Sequence, residues 1–357
     1  MRNDALDAFR GLAVAGMALV NLQDPFLPSV SLLSHADWNG LTLADLVFPF
    51  FLTAVGYSAA LATTAPGALP LARILRRTLW LILLGLVMNW LMRPTAPPWA
   101  IRASGVLQRI GVVYLFCALL AGSTRRALPA LLAATLLIAL HGLVLLYVPA
   151  PGEARASLVK GLGLSAWLDR TLLPGRLPRS GYDPEGVLSS LSAIASGLAG
   201  LGVARVDQAR EARGKGSAGR VLIAAAALAA GGLALTPLLP LNKQLWTPSF
   251  ALVTTGAALL TFQTVKSLWP FVSQSVLARA AALLGRTALT FYVLHMAVIA
   301  VLLLKIRGAR LWDLPVRSVS ALGVGPEAAS LAFALLLGLV IAAAMPALAR
   351  RGLLIRL

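Results

Sequence analysis

The feature that most constrains this chain is a succession of apolar runs, each about as long as a bilayer is thick, covering it nearly from end to end. In hydrocarbon a backbone must satisfy its own N–H and C=O groups, and an apolar run of about 20 residues does so as an α-helix. Read in this way, the sequence predicts roughly ten spans, at 6–22, 43–63, 75–92, 104–121, 128–148, 186–204, 221–239, 246–268, 283–304 and 326–349. Residues 276–284 form an alternative, interfacial lead into the ninth. The expected fold is therefore all-α, a polytopic transmembrane helical bundle. It is one domain over 1–357, with an outer loop at 149–185, a cytoplasmic loop at 205–220 and no internal repeat. With 59% hydrophobic and 12% charged residues, the composition excludes a soluble protein.

The formal charge of +18 would suggest nucleic acid in a soluble chain. Here the Lys and Arg residues lie in short connections between apolar runs, so membrane topology explains them and no nucleic-acid partner is expected. A cytoplasmic N-terminus puts Arg73, Arg76, Arg77, Arg125, Arg126, Arg205, Arg210, Arg213, Lys215, Arg220, Arg350, Arg351 and Arg356 on the inner side. No cleavable signal peptide is read at the start. Cys117 is the only cysteine, which excludes an intrachain disulfide and a cysteine-based metal cluster. The 149–185 connection is too long for a turn. Its Trp167, Leu168 and Leu172 suggest a short amphipathic helix capping the outer face, whereas 207–219 reads as a flexible linker.

Between the first two spans lies a polar island, His35-Ala36-Asp37-Trp38-Asn39-Gly40-Leu41-Thr42. No Lys or Arg occurs from Arg10 to Arg73, so His35, Asp24, Asp37 and Asp45 have no cation nearby in sequence. A neutral imidazole at such a boundary is a natural proton acceptor near neutral pH. Asn21 and Asp45 flank the island at span ends, where helix capping competes with a site role. Of the other histidines, His141 stands alone in an apolar helix and reads as structural; His295, beside Tyr292, is open to either reading. Three further clusters open predicted helices on the same side as His35: Ser104-Gly105-Val106-Leu107-Gln108-Arg109, Asp183-Pro184-Glu185-Gly186 and Asn242-Lys243-Gln244-Leu245-Trp246-Thr247. Their convergence points to one site. No metal-ligand spacing is present, and no metal is expected.

These motifs, in this order, resemble the heparan-α-glucosaminide N-acetyltransferase family and its bacterial relatives. Leu6-Asp7-Ala8-Phe9-Arg10-Gly11 with Val20-Asn21 is similar to the family's opening, and the His35 block with Ala44-Asp45-Leu46-Val47-Phe48-Pro49-Phe50 to its signature. Gly105-Val106-Leu107-Gln108-Arg109, Tyr182-Asp183-Pro184-Glu185-Gly186 and Asn242-Lys243-Gln244-Leu245-Trp246 complete the set. The chain departs from the pattern at Leu22-Gln23-Asp24-Pro25 and at Thr287. The resemblance implies transfer of an acetyl group from cytosolic acetyl-CoA, as co-substrate, to an amino sugar or glycan across the membrane. A bacterial inner membrane location is expected, with both termini cytoplasmic from the distribution of loop cations, and a homodimer is left open.

Under that reading His35, Asn21 and Asp45 are the catalytic residues: His35 as general base, Asn21 as a hydrogen-bond donor, and Asp45 or Asp37 fixing the imidazole tautomer. Asp37, Trp38, Asn39, Gln108, Arg109, Asp183, Glu185, Asn242, Lys243, Trp246 and His295 are expected to contact the substrates. An acetylated His35 intermediate remains an alternative to direct transfer. The competing readings are a membrane O-acyltransferase of cell-envelope glycans and a non-enzymatic solute transporter.

Overall fold

In a computed structural model, residues 3–25, 30–63, 69–93, 96–179, 181–306, 308–321 and 323–355 are described. Helices dominate: α1 (Asp4–Asn21), α2 (Leu43–Ala62), α3 (Leu71–Leu91), α4 (Val106–Ser123), α5 (Ala127–Tyr147), α6 (Gly163–Leu172), α7 (Ser190–Glu211), α8 (Ala218–Ala234), α9 (Pro248–Val272), α10 (Val276–Arg286), α11 (Ala288–Leu302), α12 (Asp313–Ser320) and α13 (Pro326–Arg350). The strands among the described residues are the two-residue pair β1 (Lys305–Ile306) and β2 (Ala309–Arg310), an antiparallel hairpin. Five helices, α2, α4, α5, α9 and α13, are long and apolar enough to cross a membrane by length and composition. The bent pair α10 and α11 makes a sixth. The protein is an all-α integral membrane protein.

Helix starts follow local chemistry. The Asn3 side chain accepts the Leu6 N–H at 3.0 Å, and Asp4 and Asp7 add negative charge to the first turn of α1. Thr247 caps α9, with Pro248 in its first turn. Small residues let backbones meet, as bundles in lipid require. A Cβ on Gly56 of α2 would lie 1.7 Å from the Gly197 carbonyl oxygen of α7, and one on Gly285 of α10 would lie 1.7 Å from the Asp7 carbonyl oxygen of α1.

Two expected boundaries are corrected. The loop placed at 205–220 is mostly helix, because α7 continues through Glu211 and α8 begins at Ala218. Arg205, expected in the cytoplasmic loop, is buried within α7. It donates to the carbonyls of Ala60, Thr63, Ala121 and Thr124, the unpaired C-terminal ends of α2 and α4. The ninth run is also not one straight helix: α10 meets α11 at Thr287 with a bend of 83°. The expected cap helix in the outer loop is α6, and its Asp169 carboxylate accepts the backbone N–H groups of Asp183 and Val187.

The C-terminal ends of α1, α3, α5, α8 and α11 share one face of the bundle with the N-terminal ends of α2, α4, α7, α9 and α13. Contacts such as Asp24 to Ser330, Asn89 to Ser104 and Asn39 to Asn242 tie that face together.

Candidate functional site

At this face a cavity of about 500 Å³ is bordered by Asn21 at the end of α1, Gln23 and Asp24 just after it, His35, Arg102, Glu185, Lys243, Tyr292 and Trp312. Apolar side chains including Met17, Val47, Phe48 and Met296 complete its walls. It is partly polar at a membrane boundary, the setting expected from the island.

His35 is held by Asp45. The imidazole Nδ1 lies 2.8 Å from Asp45 Oδ1, and the other carboxylate oxygen accepts from the N–H of Ala36 and from the N–H and hydroxyl of Thr42. The choice between capping and a site role for Asp45 therefore dissolves: one oxygen caps α2 and the other orients the histidine. A carboxylate accepts only, so Nδ1 carries the proton and Nε2 keeps its lone pair. Asp45 is completely buried whereas the His35 side chain is 40% exposed, so the acid is fixed and the base is accessible.

Across the cavity, the Asn21 amide lies 3.4 Å from His295 Nε2, and His295 Nδ1 lies 3.2 Å from the Phe291 carbonyl. A carbonyl accepts only, so Nδ1–H donates to it and Nε2 accepts from Asn21. His295 thus orients Asn21 from behind, packed edge-on against Tyr292. His141 is elsewhere, within hydrogen-bond distance of Ser192 Oγ at 2.6 Å, in keeping with a structural reading.

Lys243 reaches the same histidine from the loop before α9. Its Nζ lies 3.0 Å from His35 Nδ1, 3.3 Å from Nε2 and 3.4 Å from Asp45 Oδ1. Burial pushes this ammonium below the usual lysine range, with Asp45 and Glu185 opposing the shift.

A third group surrounds Arg102. Its guanidinium donates to Asp183 at 2.5 and 2.8 Å and to Glu185, and the Ser104 hydroxyl also donates to Asp183. Burial works against the charged Asp183 carboxylate, but Arg102 and Ser104 hold it below the usual range. Sequence reading missed Arg102. The signal was present, because two acids in Asp183-Pro184-Glu185 beside a helix need a counter-charge. It also missed Asn89, whose amide donates to the carbonyls of Arg102 and Ser104 at 2.7 Å each. Gln23 and Trp312 were missed as well; the Gln23 Oε1 and Trp312 Nε1 are buried without a hydrogen-bond partner among the described residues, and both residues border the cavity.

Several expected contact residues do not border the cavity and brace its walls instead. Asp37 is 90% exposed and pairs with Lys160 at 2.7 Å, which lowers its carboxyl. The Trp38 indole N–H donates to the Leu158 carbonyl, and its ring packs edge-on against Tyr182, pinning the outer loop. Asn39 accepts from the Asn242 amide at 3.0 Å, while Asn242 Oδ1 accepts the Leu245 N–H. These bonds fix the two loops that carry His35 and Lys243. Gln108 packs against Gly85 and Gly105. Buried Arg109 donates to the Gly186 carbonyl and to Ser189, and stacks over the Trp246 ring at 5.0 Å. Trp246 has φ of 50°, the left-handed region, and is clamped by Phe48, Phe250 and Arg109. A bulky residue held there costs on the order of 1–3 kcal/mol and persists because its surroundings over-determine it.

A carboxylate-oriented imidazole, an oriented amide and a buried ammonium thus gather around one cavity in a helical membrane protein. Residues 2–151 match the family model described as heparan-alpha-glucosaminide N-acetyltransferase, catalytic. Over an alignment of 331 residues the chain is 28% identical to the human protein named heparan-alpha-glucosaminide N-acetyltransferase, covering 74% of this chain and 49% of the relative. The mouse protein of that name is 27% identical over 305 residues, with 69% and 46% covered. The chain spans about half the length of the curated relatives it matches. The chain is similar to the heparan-alpha-glucosaminide N-acetyltransferases, in line with the resemblance its motifs carry.

Proposed function

We propose that this protein is a transmembrane N-acetyltransferase that moves the acetyl group of cytosolic acetyl-CoA to the amine of an amino sugar on the opposite side of the membrane. The observation that carries the reading is the His35–Asp45 pair at 2.8 Å on the wall of the cavity that Asn21 also borders.

An amine attacks a thioester only through a free lone pair, so a base must take a proton before or during attack. Asp45 accepts the Nδ1–H of His35 and leaves Nε2 as that base. Asn21, its amide held by His295, is positioned as a hydrogen-bond donor to the acyl group. Glu185 on the cavity wall supplies negative charge suited to an ammonium-bearing acceptor, and Gln23 and Trp312 offer an acceptor and a donor to its hydroxyls.

In this reading α1, α2, α3, α4, α5, α7, α8, α9, the α10–α11 pair and α13 are ten crossings, with both termini cytoplasmic. Arg76, on the opposite end of α3 from Asn89, then lies about 20 Å from it along the helix axis. The basic cluster of Arg73, Arg76 and Arg77 suits the CoA phosphates, with the thin pantetheine arm reaching between the helices. Purified protein incubated with radiolabelled acetyl-CoA and glucosamine is expected to form the N-acetyl product. The variant His35→Ala is expected to lose about 10²–10⁴-fold in kcat. A His35→Ala enzyme of normal activity would end the assignment of the base.

A further inference from the structure

A second and larger cavity, of about 820 Å³, lies between α5 and α8 over a floor made by α7 and the start of α9. α5 packs along α7 and α8 packs along α9, which leaves a slot between the two outer helices. Small residues bring backbones together elsewhere in the bundle, but here Ala139, Ala199, Ala224, Ala227 and Gly231 line open space. A Cβ on Gly231 would meet nothing within 4 Å. Among the described lining residues the polar side chains are Thr135, Thr255 and Arg220, and the Thr135 hydroxyl already donates to the Leu131 carbonyl at 3.0 Å. Such walls offer water too few partners to hold it, so the body of the slot suits hydrocarbon. From Leu131 to Leu146 on α5 it runs about 22 Å along the helix axis, against a hydrocarbon core about 30 Å thick.

Its charged end lies away from the His35 face. Arg220 stands in the first turn of α8, and Arg125 and Arg126 directly precede α5. Neither helix has an acid in its first turn, and a cation there opposes the positive end of the helix dipole. The nearby acids of α7, Asp207 and Glu211, are bound to Lys266, and Arg125, Arg126 and Arg220 have no ion-pair partner among the described residues. An apolar slot that ends at unpaired arginines and two helix N-termini matches a ligand with a hydrocarbon tail and an anionic head. Phosphate fits both the guanidinium and the helix ends. We propose that this slot binds one anionic glycerophospholipid, with an acyl chain between α5 and α8 and its phosphate at Arg220. The site is separate from the His35 cavity and does not depend on the acetyl-transfer reading.

The full chain, delipidated in a neutral detergent, is titrated with dioleoyl phosphatidylglycerol or with zwitterionic dioleoyl phosphatidylcholine and read by native mass spectrometry. The first phosphatidylglycerol is expected to bind about tenfold more tightly than the first phosphatidylcholine, the equivalent of one hydrogen bond to a charged group. Arg220→Gln is expected to abolish that preference and leave phosphatidylcholine binding as in the parent. Gly231→Leu fills the slot where the parent has open space, so it is expected to weaken the first phosphatidylglycerol about tenfold or more without lowering Tm. Phosphatidylglycerol carrying a diazirine in its acyl chain is expected to label residues 131–146 and 220–235 above the exposed apolar faces of α3 and α13, and to lose that labelling in Gly231→Leu. Equal affinity for the two lipids, a preference that survives Arg220→Gln, or labelling spread evenly over the helices would overturn the proposal. A Gly231→Leu protein that binds lipid as the parent does but loses a self-associated form would assign the slot to a second copy of the chain instead.

Discussion

At the scale of single residues, the site is built by cations that arrive from far along the chain. The stretch from Arg10 to Arg73 has none of its own, yet Asp24 meets Arg310 at 3.8 Å, Asp37 meets Lys160 at 2.7 Å and Asp45 meets Lys243 at 3.4 Å. Asp45→Asn keeps an oxygen for capping but turns an N–H toward His35. It is expected to reverse the imidazole tautomer and lower kcat on the order of 10²–10⁴-fold with little loss of thermal stability, measured by single-turnover acetyl transfer. Asp169 permits a pH prediction. Burial raises its carboxyl from 3.8 to about 6 despite two backbone N–H bonds. Because the folded value lies above the unfolded one, this group favours the folded state most when protonated. Its contribution declines as pH rises from 3.8 through about 6 and is constant beyond. The difference in Tm between Asp169→Asn and the parent should therefore shift toward the variant over that interval and then level off. A difference independent of pH would contradict the assignment.

At the scale of elements, close helix contacts and capped helix ends hold the walls apart at the width the cavity needs. Gly56 sits where α2 meets the Gly197 backbone, so Gly56→Val forces the helices apart. A cost of about 1–3 kcal/mol is expected from such overpacking, with lowered activity because α2 carries Asp45. Thermal unfolding in detergent, read beside activity, checks both. Arg205 acts at the other end of the bundle. Arg205→Met strips donors from the last carbonyls of α2 and α4, where each hydrogen bond to a charged group is worth about 1.5–3 kcal/mol. The expected outcome is a lower Tm with unchanged KM for both substrates in the molecules that remain folded. A changed KM would place Arg205 in the site.

At the scale of the whole molecule, sidedness is the property to test. Cys117 is completely buried, so the parent offers a quiet background for thiol labelling. In sealed right-side-out vesicles, Asp37→Cys is expected to react with an impermeant maleimide, while Gly214→Cys, in the α7–α8 connection, reacts only after permeabilisation. Labelling of both from one side would refute the ten-crossing arrangement.

Much of this was legible in the sequence. Apolar runs of bilayer length dictate helices because lipid offers the backbone no other partner, and each predicted run contains one. The His35 island, Asn21, Asp45, Glu185 and Lys243 were legible as polar residues too costly to keep at a membrane boundary without partners. Pairing was not. Which oxygen of Asp45 caps a helix and which orients a histidine, that Arg102 neutralises two acids some eighty residues away, and that Trp38 and Asn39 brace the wall are decided by helix packing. The reason is physical: hydropathy is local and summed along the chain, whereas hydrogen bonds and ion pairs depend on distances that only the assembled bundle sets.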